Sequence, residues 1–124
     1  MAVRIYRTKA FTKYCRDEDI LPSTLRDAVE EIGKGLHDGD LGSRILKKRV
    51  ARPGAGKRGG YRTIIAYQSG ERAVFLHGFA KNEKENISQE ELKDLKKLAK
   101  TILACTDNEM QKLVDGHGWT EITR

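Results

Sequence analysis

Cysteine is scarce: two residues in a chain of 124. Cys15 and Cys105 lie far apart and form neither a Cys-x-x-Cys pair nor a metal-ligand spacing, so zinc-ribbon and dithiol chemistry find no support. Both fall where a helix should bury an apolar face, and the plain reading is two free core thiols in a cytosolic protein. Long apolar runs are also missing. None approaches membrane-spanning length, and the N-terminus carries no signal-peptide core, so the expected compartment is the cytoplasm, with no membrane partner. Aromatics are few, three Phe, four Tyr and one Trp. The remaining apolar residues still suffice for one core, and the length predicts a single domain over residues 1–124. There is no internal repeat or low-complexity segment.

The most telling absence is local. Between Leu41 and Gly70 there is no acidic residue, while Arg44, Lys47, Lys48, Arg49, Arg52, Lys57, Arg58 and Arg62 are all basic. The flanks are nearly balanced, at −1 over residues 1–40 and −1 over residues 71–124, so the net charge of +6 arises from this stretch. A basic block in a balanced frame points to a polyanion, and nucleic acid is the common one.

Periodicity supplies the scaffold. Val3-Arg4-Ile5-Tyr6-Arg7 alternates like a strand, and Thr8 is placed to cap a helix from Lys9 to Arg16 with Phe11, Tyr14 and Cys15 inward. Leu25, Ala28, Val29, Ile32 and Leu36 predict a second helix, with Ser23 as its cap and Gly33 and Gly35 weakening its end. Ile45 to Val50 reads as a strand, Pro53 to Gly60 as a glycine-rich loop, and Tyr61 to Tyr67 with Arg72 to Phe79 as a hairpin across Ser69-Gly70. On alternation alone, His77 shares a face with Phe75 and Phe79. Lys81 to Asn86 forms a charged connector. Ser88 and Glu91 then spell a capping box, with Ile87 and Leu92 as its staple, opening a helix that buries Leu92, Leu95, Leu98, Ala99, Ile102 and Leu103. Asn108 to Val114 allows one more short helix, and Trp119 to Ile122 an edge strand or a docked tail. The predicted class is α+β, a small antiparallel sheet packed by two N-terminal helices and a late helix.

Gly54-Ala55-Gly56-Lys57 is not a nucleotide-binding loop. That pattern needs a glycine six residues before the lysine and a hydroxyl after it, and Ala51 and Arg58 occupy those places. What remains is a loop presenting Lys57 and Arg58, flanked by Arg52 and Arg62 on strands. Arginine offers phosphate a planar fork and lysine a mobile charge. RNA carries its own nucleophile, the 2′-hydroxyl. A metal-free ribonuclease then needs a group to take that proton, another to protonate the leaving oxygen, and cations around the transition state. His77, His37 and His117 are the conventional proton-transfer candidates. A lysine crowded by like charges is the substitute.

Lys57-Arg58-Gly59-Gly60-Tyr61-Arg62, the strand that follows, and Val74-Phe75-Leu76-His77-Gly78-Phe79-Ala80-Lys81-Asn82-Glu83-Lys84-Glu85-Asn86-Ile87 resemble the RelE/ParE superfamily of type II toxins, in particular its HigB-type branch. The resemblance spans about residues 1–105 and implies a RelE-like fold with an added N-terminal strand. It also implies an mRNA endonuclease that acts during translation, without metal or cofactor. Carried over, Arg62 would meet the scissile phosphate, Lys57 or Lys48 would serve as base, and Lys81 or Lys84 would stabilise charge or assist the leaving group. Lys47, Arg49, Arg52 and Arg58 would bind RNA backbone. Asn82 and Ser88 stand where several relatives place an arginine and then a tyrosine or histidine, which leaves the acid and base open. The implied partners are the ribosome, mRNA and a cognate antitoxin with a helix-turn-helix domain, through which any DNA contact would run. A binding protein without activity and a gyrase-directed toxin are the alternatives, because fold likeness does not fix the target.

Overall fold

The computed structural model describes residues 3–52, 56–80 and 87–123, with the backbone alone at 51–52 and 56–59. In chain order the elements are β1 (Arg4–Arg7), α1 (Lys9–Asp17), α2 (Pro22–Gly33), β2 (Gly39–Gly42), β3 (Ile45–Arg52), β4 (Gly56–Gln68), β5 (Arg72–Ala80), α3 (Gln89–Leu103), α4 (Asp107–Gly116) and β6 (Thr120–Ile122). The class is α+β, as the periodicity predicts. The strands form one six-stranded sheet in the order β2-β3-β4-β5-β1-β6. It is antiparallel except where β1 lies parallel to β5. The N-terminal strand therefore sits inside the sheet, and β6 closes the edge beyond it.

Helices cover both faces. α1 and α2 pack Phe11, Cys15, Leu25, Ala28, Val29 and Ile32 against Leu46, Val50, Tyr61, Ile65 and Phe75. α3 and α4 pack Ala99, Ile102 and Met110 against Tyr6, Ile45, Ile64, Val74, Leu76 and Phe79. This double cover explains the unbroken burial from Tyr61 to Ala66 on β4, where both faces of the strand are dry. Each large side chain so buried contributes about 1.5–3 kcal/mol. Burial also pushes the Cys15 thiol upward from its ordinary pKa, so it stays protonated and inert. Cys105 is instead half-buried in the turn after α3 and donates to Thr101 O at 3.3 Å, so the expectation of a second core thiol does not hold.

Local chemistry sets the helix ends. Thr8 Oγ1 accepts from Phe11 N at 3.1 Å, and Ser88 with Glu91 forms the reciprocal box at 3.1 Å in both directions. Thr106 and Glu109 build a second box that opens α4. Ser23 does not cap α2. Its N-cap is Leu21, with no side-chain hydrogen bond, and Pro22 starts the helix by its fixed φ and its missing N–H.

Three further features escape simple periodicity. β2 is an added strand, Gly-Asp-Leu-Gly, too short and too polar to show alternation. The expected loop from Pro53 to Gly60 is strand from Gly56 onward. The third is a bulge in β5. Ile64 pairs with His77 but Ile65 pairs with Phe75, so Leu76 is the extra residue. Phe75 packs on the α1 side while Leu76 and Phe79 pack on the α3 side. His77 therefore shares a face with Phe79 and not with Phe75, a correction to strict alternation. On the other face, Gly78 is needed because a Cβ there would lie 2.8 Å from Tyr14 and 2.9 Å from Phe11, so α1 rests on bare backbone.

Candidate nucleic-acid interface

Register determines which cations meet. Across β3, β4 and β5, Arg49 pairs with Arg62 and Arg62 with Phe79. The neighbouring row is Lys47, Ile64 and His77. Directly paired residues project to the same side of a sheet. Arg49, Arg62, Lys47 and His77 thus share the α3 side, where Phe79 and Ile64 pack. The His77 and Phe79 rings stand 5.9 Å apart.

Arg62 is 7 % exposed, and its buried Nη1 has no hydrogen-bond partner among the described residues. Among the described residues no carboxylate lies within ion-pairing distance of it. A second guanidinium, Arg49, stands opposite. Like charges directly across a strand pair repel, and a buried unpaired cation is costly, so this arrangement favours arrival of an anion. Arg49 is the accessible member. Its Nε lies 3.9 Å from Asp38 Oδ1, and its backbone N donates to Asp38 Oδ2 at 2.7 Å. Asp38, just before β2, thereby fixes the backbone beside the arginine pair.

Glu91 bridges two jobs. Its Oε1 accepts from Ser88 N at 3.1 Å, and its Oε2 lies 3.7 Å from His77 Nε2. The cap that starts α3 therefore also holds a carboxylate against the imidazole. The capping box was legible in sequence. The link to His77 was not, because it depends on where the start of α3 docks against the sheet.

Lys48 is elsewhere. It falls between Leu46 and Val50 on the α2 side, 4 % exposed, with its Nζ 2.8 Å from Glu31 Oε1. Its cross-strand partner is Thr63 rather than Arg62. Lys48 is thus a buried ion-pair partner of α2 on the face opposite Arg62. His37 and His117 are exposed, one after α2 and the other capping the end of α4. The side chains of Arg52, Lys57 and Arg58, and all of Lys81 and Lys84, lie outside the described residues. Among the described residues no three His, Cys, Asp or Glu side chains gather as a metal site requires, and no helix is long and apolar enough to cross a membrane.

A family model described as the RelE toxin of the RelE / RelB toxin-antitoxin system matches residues 3–122. No curated protein matches the chain.

Proposed function

We propose that this chain, which belongs to the RelE toxin family, cleaves mRNA on the ribosome and stands with the HigB-type branch. Membership makes it a toxin of a toxin–antitoxin system with an antitoxin as partner. The observation that carries the proposal is the buried Arg62 guanidinium, whose Nη1 has no partner among the described residues, across the sheet from Arg49. A scissile phosphate approaching from the exposed Arg49 side would supply the missing negative charge. The pair would then stabilise the additional charge that builds on the phosphate oxygens as the 2′-hydroxyl attacks.

In that reaction the 2′-oxygen bonds to phosphorus, the 5′-oxygen leaves, and a 2′,3′-cyclic phosphate forms. One proton leaves the 2′-hydroxyl and one reaches the 5′-oxygen. His77, oriented by Glu91 and in the row beside Arg62, is suited to one of these transfers. Lys57, Lys81 and Lys84 remain the proposed complement, with Arg52 and Arg58 on the RNA backbone. Lys48 is dropped from the catalytic set, since its ammonium is engaged by Glu31 on the other face. The antitoxin is proposed to carry the helix-turn-helix domain, and the site of action is the cytoplasm.

The test is to map transcript ends and replication intermediates after the chain is induced, alongside cleavage reactions with and without ribosomes. New ends inside codons that require ribosomes support the reading. Intact transcripts on engaged ribosomes overturn it, and stalled replication with intact RNA transfers the target to gyrase.

A further inference from the structure

Where β2 turns into β3, a cleft of about 390 Å³ opens against the C-terminal half of α3. Ser43, Arg44, Lys96 and Lys100 line it, with Leu103 and Ala104 as an apolar floor. No acid lines it. Among the described residues, no carboxylate pairs with Arg44, Lys96 or Lys100. Lys100 in the last turn of α3 complements that helix's carbonyl end, an ordinary role for one lysine. It does not account for two further cations.

The turn is also held in an unusual way. Gly42 and Ile45 pair, leaving Ser43 and Arg44 as the two central residues, at φ 53° and 64°. A two-residue turn of this hand suits Asn-Gly, and here both positions carry ordinary side chains. Arg44 O accepts from Tyr67 N at 2.9 Å, which ties the turn to β4. Gly42 sits so close to Lys96 that a Cβ there would lie 3.3 Å from the ammonium. The strained turn and α3 thus bring around one concavity three cations that have no carboxylate partner among the described residues.

The cleft lies along β3 from the arginine pair. Arg44, Lys47 and Arg49 follow one another on that strand and its turn, and five residues of strand span about 17 Å. From Glu91, beside His77, the rise along α3 is about 8 Å to Lys96 and about 14 Å to Lys100.

We propose that this cleft binds a phosphodiester of the same RNA strand whose scissile phosphate meets Arg62, several nucleotides away. The inference rests on the RNA-cleavage reading. Its occupant is single-stranded RNA backbone, and its contribution is to hold the message in register along β3.

The test measures binding of a 2′-O-methyl single-stranded 12-mer, which cannot be cleaved, by fluorescence anisotropy across a salt series. It compares wild type with Arg44→Gln/Lys96→Gln/Lys100→Gln and with the equal charge change Lys9→Gln/Lys13→Gln/Lys34→Gln on the opposite helical layer. Three lost phosphate contacts lower the salt slope by about 2, at roughly 0.7 per contact on a single strand. The single variant Arg44→Gln lowers it by about 0.7 and covers the case in which the triple variant fails to fold. A slope unchanged in both cleft variants, or lowered equally by the control triple, overturns the cleft while leaving the cleavage reading intact. Unchanged oligonucleotide binding with weakened ribosome co-sedimentation assigns the cleft to ribosomal RNA and overturns the same-strand proposal. No RNA binding by wild type overturns both.

Discussion

Arg62 and Arg72 are equally buried, at 7 % exposed, yet their surroundings are opposite. Arg72 is saturated. Its Nη1 donates to Ile102 O at 2.8 Å and Cys105 O at 2.9 Å, and its Nη2 meets Asp107 Oδ1 at 3.0 Å. It binds the carbonyl end of α3 to the start of α4, with the Tyr6 ring 6.0 Å away. Arg62, ten residues earlier in sequence, makes none of these contacts and faces another arginine. Lys48, with Glu31, belongs with Arg72. Burial alone therefore says nothing about a cation's role. A buried cation with its partners in the chain holds the fold together. One without them carries an energetic debt that a ligand relieves.

The sharpest way to break this contrast is thermodynamic. Arg72→Met should cost about 2–4 kcal/mol, because two carbonyls at the end of α3 lose a charged donor while Asp107, mostly exposed, returns to water. Chemical denaturation reads it, and a loss below about 1 kcal/mol would remove Arg72 from the structural class. Glu31→Gln comes next, at about 1–3 kcal/mol, since Lys48 is left buried beside a neutral amide while Glu31 itself was about one-third exposed. Arg62→Met should leave stability within about 0.5 kcal/mol of wild type or raise it, because an apolar side chain replaces an unpaired buried charge. A loss as large as that of Arg72→Met would erase the distinction. The smallest effect concerns the second capping box. The hydrogen bond from Thr106 N holds the Glu109 carboxyl below its ordinary pKa of 4.5. A depressed carboxylate adds stability above its unfolded pKa, and that share is lost as pH falls through the folded value. Amide protection in the first turn of α4, taken relative to the intrinsic exchange rate at each pH, should therefore fall ahead of that in the α3 interior as pH drops through the folded value. Simultaneous loss of protection in both would deny the local origin.

The helices were legible in the chain, whereas the contrast between the buried cations turns on pairing. Thr8, the Ser88–Glu91 box and the stripes of α1, α2 and α3 are local signals, so they could be read without the fold. The basic block from Arg44 to Arg62 could also be assigned to β3, β4 and the turn before them. Its sorting onto two faces was hidden, because it depends on Lys48 meeting Thr63 and Arg49 meeting Arg62. The register shift at Leu76 was equally hidden, since a single inserted residue leaves no periodic trace, yet it parts Phe75 from the face that His77 and Phe79 share. Arg72 read as an ordinary strand residue because its partners lie 30 to 35 residues away.

The most direct measurement compares wild type with Arg62→Met in primer extension on ribosome-bound message, with melting temperatures recorded on the same preparations. The account predicts cleavage at least about 100-fold slower, the scale of losing a main transition-state donor, at an unchanged or higher melting temperature. Arg62→Lys should not restore the rate, because an ammonium lacks the planar fork. Wild-type cleavage by a folded Arg62→Met protein would contradict the central claim that the buried, unpaired guanidinium is kept for the phosphate.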